Sequence, residues 1–282
     1  MTRNEGQASV ILDNVCKLIQ KKVHADNVLL VEKFAKALYS NMSKEDLANR
    51  NDSDLYGAAL SLWNSLEKNT SDNAVIRVFN PEVAKDGWQS SHTIVEIIAK
   101  DMPFLVDSVR MAMSRANIAS HLLLHSPLKV KRNNEGQIAA ISNLKADQES
   151  TSTKTVFFIE IDRQTDSDVI DSFKRELESV LVDVSTAVED WQPIREKLIA
   201  VSKELPNRKQ HTNEIEVAET VEFLDWLVKD NFTLMGYRQY DLQPVQGDYQ
   251  LKGKMETSLG LMKNVTDDHT RLLSELPEVA RQ

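Results

Sequence analysis

Asp101-Met102-Pro103-Phe104-Leu105-Val106 is the segment whose residue types and spacing are best suited to holding a ligand. It follows the alternating run Thr93 to Ala99. It precedes apolar residues at Leu105, Val106, Val109, Ala112, Met113 and Ala116, the spacing of one helix face. A strand–turn–helix junction of this kind leaves backbone N–H groups at the helix start without intrahelical partners. The amides of Phe104 to Val106 could therefore receive a carboxylate, and Asp101 could recognise an amino group. A simpler reading stands beside this one. Asp101 caps the helix, and Pro103 sits in the first turn, where its missing N–H is harmless. The two are compatible, since a ligand can supplement a cap.

Other chemistry-bearing residues point to structural roles. His121 and His125 have the i, i+4 spacing that suits a metal on a helix, but the surrounding sequence reads as a strand. There they would share a face about 13 Å apart, too far for one ion. His92 opens a strand and reads as a hydrogen-bonded structural residue, Phe104, Trp88 and Trp191 as core or interface aromatics. Cys16 lies in a helical apolar pattern and reads as a small buried hydrophobe. No Gly-x-Gly-x-x-Gly follows a strand, and no phosphate-loop signature of the Gly-x-x-x-x-Gly-Lys-[Ser/Thr] type occurs. Hydride transfer by this segment alone is thus excluded. No catalytic residue, cofactor or metal is expected within it.

The charge balance narrows the partners. With 34 Lys and Arg against 43 Asp and Glu, the 282-residue chain carries a formal charge of -9. Such a surface does not displace counterions from nucleic acid, so no nucleic-acid partner is expected. One cysteine precludes an intrachain disulfide framework and fits a reducing compartment. No apolar run approaches the ~20 residues of a membrane span. A cytoplasmic chain with no membrane partner is expected.

The elements that must position the turn fall into three stretches. Residues 1–73 read as a helical module, with stripes at Val15, Leu18, Ile19, then Val31, Phe34, Ala35, Leu38, then Leu55, Ala59, Leu62, Leu66; Ser43 to Asp46 has the form of a capping box. Residues 74–205 read as an α+β sandwich with helices on one face. Its elements are strand Val75–Phe79, the central strand–turn–helix, a hairpin from Ala119 to Ile141 turning at Asn133–Gly136, a mobile loop from Lys145 to Thr155, strand Val156–Ile161, and a long helix that Pro193 kinks. Residues 206–282 read as the start of a second α+β module, after a polar connector from Lys203 to Glu214. It holds a helix marked by Val217, Val221, Leu224 and Val228, a strand from Phe232 to Leu242, and a turn at Gly247-Asp248. The chain reads as a fragment that stops mid-architecture.

Val75-Ile-Arg-Val-Phe-Asn-Pro81, His92-Thr-Ile-Val-Glu-Ile-Ile98, Asp101-Met-Pro-Phe-Leu-Val-Asp-Ser-Val109, Val188-Glu-Asp-Trp191 and Leu234-Met-Gly-Tyr-Arg-Gln-Tyr-Asp-Leu242 together resemble the N-terminal part of the large bacterial NAD-specific glutamate dehydrogenases. The resemblance implies an N-terminal helical bundle, an ACT-like (βαββα) sandwich and a second module. It implies a non-catalytic regulatory or assembly segment of a longer polypeptide, whose downstream catalytic domain oxidatively deaminates L-glutamate to 2-oxoglutarate with NAD. A homo-oligomer and an amino-acid effector are the partners it implies, and a purely structural oligomerisation module is the alternative. The turn resembles the Asp-Arg-Pro-Gly-Leu-Leu loop of amino-acid-binding ACT domains. Where that loop has glycine, this chain has Phe104, whose ring would occupy ligand space. A fourth ACT strand after the long helix is not evident, so the module either is incomplete or takes its last strand from elsewhere.

Overall fold

A computed structural model describes residues 3–143, 152–207, 214–266 and 270–278. The chain divides into two compact units, Met1–Leu181 and Val182–Gln282.

The first unit opens with helices α1 (Arg3–Lys22), α2 (Val28–Tyr39), α3 (Lys44–Ala48) and α4 (Asp52–Lys68). Ser43 starts α3 as its spacing predicts. Its hydroxyl accepts from the Asp46 N–H at 3.0 Å and donates to the Asp46 carboxylate at 2.6 Å. Strands β1 (Val75–Phe79), β2 (Thr93–Lys100), β3 (Ser120–Arg132), β4 (Ile138–Asn143) and β5 (Ser152–Ile161) form one antiparallel sheet in the order β1-β2-β5-β3-β4. The short helix α5 (Val83–Asp86) follows β1, α6 (Leu105–Arg115) joins β2 to β3, and α7 (Ser167–Glu189) follows β5.

Strand alternation explains how this sheet carries helices on both faces. Ile94 and Ile98 of β2 and Val156 and Phe158 of β5 belong to one core cluster with Phe34, Leu38, Leu62, Trp63 and Leu66 of α2 and α4. The intervening Val95, Ile97, Phe157 and Ile159 are equally buried and point to the other face. That face is left for the buried stripes of α6 (Leu105, Val109, Ala112, Met113) and α7 (Phe173, Leu177, Val180, Leu181). The single helical layer expected from the β-rich stretch is therefore corrected to two. Strands apolar on both sides require this, because a sheet face left open would hold Ile94 and Phe158 in water.

β1 holds the sheet edge beside β2, in the register Val75↔Ile98 to Phe79↔Ile94. β3 and β4 form the expected hairpin, with Asn133 Oδ1 accepting from the N–H groups of Glu135 and Gln137 and Gly136 at φ +81°. Of the loop expected from Lys145 to Thr155, Ser152 to Thr155 belong to β5, paired with Ala99, Lys100 and β3. Residues 145–151 lie outside the described ones.

One side chain ties the hairpin to the helical layer. The Arg132 guanidinium donates to the carbonyls of Leu66, Glu67 and Asn69 at 2.7, 3.1 and 2.8 Å, and to Gly136 O at 2.7 Å. The first three are carbonyls at the C-terminal end of α4, where the helix macrodipole attracts a cation. Arg132→Ala should lower the stability of the first unit by about 1.5–3 kcal/mol, the range for hydrogen bonds from a charged donor. Urea denaturation checks this, and a loss below 0.5 kcal/mol (roughly the effect of an ordinary surface change) would refute the tie.

The second unit takes the end of α7, α8 (Trp191–Glu204), α9 (Glu214–Trp226) and a sheet of β6 (Gly236–Val245), β7 (Asp248–Gly260) and β8 (Arg271–Leu272) in that order. The expected kink at Pro193 is a break one turn earlier: α7 ends and α8 begins at Asp190, which places Pro193 in a first turn. The Asp190 carboxylate accepts from Gly260 N–H at 2.6 Å and pairs with Lys263 at 2.6 Å. Burial pushes its pKa up, but Lys263 and the Gly260 amide outweigh that and hold it below the usual carboxylate range. On α9, Val217, Val221 and Leu224 are partly buried, in line with the buried Val228 just beyond the helix, as their spacing predicts. The strand expected from Phe232 starts later, at Gly236, and the β6–β7 turn is Gln246-Gly247, both at positive φ, not Gly247-Asp248. Of the expected connector from Lys203 to Glu214, residues 208–213 lie outside the described ones.

Candidate functional site

The turn after β2 hangs on the end of the β2–β5 ladder: Asp101 N–H donates to Thr153 O at 3.0 Å. Phe104 is the residue before α6, with φ +69° and ψ −4°, and no side chain caps the helix. The capping role read for Asp101 is therefore corrected. Burial raises the pKa of its carboxyl, and the charge of His125 partly lowers it again. For His125 burial lowers the pKa, and Asp101 partly raises it. The His125 ring also lies 4.7 Å from that of Phe157. Asp101, Met102 and Val106 are partly buried, Pro103 is exposed, and Leu105 is 2% exposed and belongs to the core.

The left-handed backbone expected of a glycine is thus present at Phe104, held by a residue that normally avoids it. Its ring is 53% exposed. A side chain in this conformation costs roughly 1–2 kcal/mol, while a glycine adds backbone freedom to the unfolded chain at roughly 0.4–1 kcal/mol. Phe104→Gly should accordingly be neutral or stabilise by up to about 1 kcal/mol. Thermal melting tests this, and a loss of more than ~1 kcal/mol would mean that the phenyl packs against something.

The two histidines of β3 are kept apart. His121, beside a bulge at Ser120–Leu122, hydrogen-bonds Asp162 through Nε2 at 2.7 Å and lies 4.4 Å from the ring of His92, while the His125 ring lies against Phe157. His92 Nδ1 is 3.3 Å from Ser91 Oγ and 3.9 Å from Glu160. Among the described residues, no three His, Cys, Asp or Glu side chains come together as metal ligands.

At the opposite end of β2 is a cavity of about 650 Å³ that sequence reasoning missed. Arg50, between α3 and α4, grips both carboxylate oxygens of Glu160 on β5, one of them at 2.6 Å. Glu160 is 4% exposed and Arg50 29%. Tyr39 donates to Leu55 O at 2.6 Å, and burial pushes its hydroxyl pKa up. Trp88 lies in the cavity wall with its indole against the backbone of Gly57 and the rings of Phe79 and Phe158. A signal was available: Glu160 interrupts an apolar run, Val156 to Ile161, and a carboxylate in a buried strand demands a cationic partner. Glu96 repeats the pattern in β2. Burial raises its pKa, and Arg77 at 2.7 Å only partly offsets that.

The model of the glutamate dehydrogenase ACT1 domain matches residues 34–177. The chain belongs to this family. The ACT1 match starts in α2 and ends in α7, so α3, α4 and strand β1 fall within it. The chain is 32% identical over 254 residues to the NAD-specific glutamate dehydrogenase of Halomonas elongata, covering 90% of this chain and 16% of that protein. It is 34% identical over 209 residues to the NAD-specific glutamate dehydrogenase of Pseudomonas aeruginosa, covering 74% of this chain and 13% of that protein. It therefore spans less than one-fifth of the length of these relatives. Among the described residues, no helix is long and apolar enough to cross a membrane.

Proposed function

We propose that this chain is a non-catalytic regulatory and assembly segment of a cytoplasmic, homo-oligomeric NAD-specific glutamate dehydrogenase. The parent polypeptide converts L-glutamate, NAD and water to 2-oxoglutarate, ammonia and NADH in a downstream catalytic domain that binds the NAD. The observation that carries this reading is the ACT1 match over a sheet, α6 and α7 arranged around the 101–106 turn, in a chain whose relatives are NAD-specific glutamate dehydrogenases. In this reading Asp101, Met102, Pro103, Phe104, Leu105 and Val106 meet an amino-acid effector, and binding shifts the catalytic domain by a coupling of ~1–3 kcal/mol.

A purely structural role is the second reading, and two observations favour it. Phe104 is exposed where an effector would need room. In the second unit Phe223, Trp226, Phe232, Met235, Leu242 and Tyr249 are exposed as well, an apolar surface of the kind that assembly covers.

Removing residues 1–282 from the parent enzyme tests the proposal. The shortened enzyme should still form NADH from glutamate, but with its response to amino acids or its native mass lost. Turnover abolished at unchanged mass would place part of the chemistry in this segment, and no change in either property would remove both roles.

A further inference from the structure

We propose that the outward face of α9 docks a basic amphipathic polypeptide segment, one that carries lysine or arginine among large apolar side chains. α9 lies against α8, and its partly buried positions Val217, Val221 and Leu224 share one side of the helix. Glu219, Glu222, Phe223 and Trp226 fall on the other side, and all four are exposed. The Phe223 and Trp226 rings are stacked, with centroids 6.1 Å apart and planes 15° from parallel, at 57% and 47% exposure. Two exposed rings side by side form a ready anchor, since Trp is among the side chains that dominate protein interfaces.

The charges around the ring pair select what covers it. Glu216, Glu219, Glu222 and Asp225 recur at every third position, and α9 holds no lysine, arginine or histidine. Asp225 accepts from Ser202 Oγ of α8 at 2.8 Å. None of the ion pairs among the described residues involves Glu216, Glu219 or Glu222. Carboxylates three residues apart are neighbours on a helix surface, so the row repels itself, and facing cations relieve that repulsion. A second copy of the same face would oppose like charges, which disfavours a two-fold contact of α9 with itself. Nucleic acid and anionic lipid are repelled for the same reason. Lysine and arginine, by contrast, also lie favourably over an indole face. The inference deepens the structural reading and rests on it only in taking this face as covered in the assembled enzyme.

Calorimetry on the 282-residue chain decides it with three peptides of helical spacing: leucine with lysine, leucine with glutamate in place of lysine, and lysine with serine in place of leucine. The first should bind and the other two should not. Trp226→Ala should weaken the leucine–lysine peptide about tenfold, the loss of one aromatic anchor. Glu219→Gln with Glu222→Gln should weaken it about tenfold as well and flatten its salt dependence. The same charge change on α7, Glu176→Gln with Glu178→Gln, should leave binding unaltered. Equal binding of either control peptide, silence of the leucine–lysine peptide at millimolar concentration, or equal effects of the α7 and α9 charge changes each overturns the proposal. A mass in light scattering that rises with concentration in the unaltered chain but not in Trp226→Ala overturns it too. That result would give the face to a second copy and leave the assembly reading standing.

Discussion

Gly57→Ala should destabilise the first unit by about 3 kcal/mol, although it places the best helix former in the middle of α4. Helix propensity by itself favours alanine there by about 1 kcal/mol. The added Cβ, however, would lie 2.3 Å from Trp88 Cβ, 2.4 Å from Cγ and 2.8 Å from Cδ1. Trp88 cannot retreat, because Phe79 and Phe158 rings stand 6.3 Å from its own and the residue is nearly fully buried. Overpacking of this kind costs roughly 1–3 kcal/mol and more where neighbours cannot yield, so the clash outweighs the propensity gain. Hydrogen exchange at the α4 amides reads the effect locally. Protection that stays equal or rises would show that Trp88 has another place to go. The smaller Leu at position 88 should recover part of the loss in the Gly57→Ala background, a coupling that a double-mutant cycle isolates.

Arg50→Met should cost about 3–5 kcal/mol, because it strands the Glu160 carboxylate in a nearly closed environment. Replacing both partners by apolar residues should cost far less, since the desolvation of the pair disappears along with its attraction. Urea denaturation of the single and double variants separates these cases. A single variant within 1 kcal/mol of the parent would mean that water reaches Glu160, contrary to its burial. The consequence is structural as well as energetic. Arg50 joins the α3–α4 junction to β5, so its loss should also loosen the helical layer that covers Ile94 and Phe158.

Particular residues show how much could be read along the chain. Val95, Ile97 and Ala99 against Ile94, Glu96 and Ile98 identify a buried strand, and Leu105, Val109 and Ala112 identify the helix that follows it. Both are properties of neighbours in sequence, with periods of two and 3.6, and the structure contains both elements. The same local logic produced the Ser43 cap and the hairpin at Asn133–Gly136. It went astray at Asp101, a residue type that commonly caps helices, because Phe104 takes the terminal position. It also missed the cavity, whose members Arg50, Trp88 and Glu160 lie on three segments far apart in the chain.

Local periodicity was sufficient for element type and for the apolar faces, because each depends on residues within a few positions of one another, while the resemblance to glutamate dehydrogenase N-terminal regions rested on specific residue runs. Only the folded chain could decide that β1 closes the sheet edge, that helices cover both faces, and that Glu160 finds Arg50. Those outcomes depend on which apolar faces and buried charges meet across separations that run from 15 residues between Phe79 and Ile94 to 110 between Arg50 and Glu160, and burial free energy, not local spacing, selects among the possible meetings.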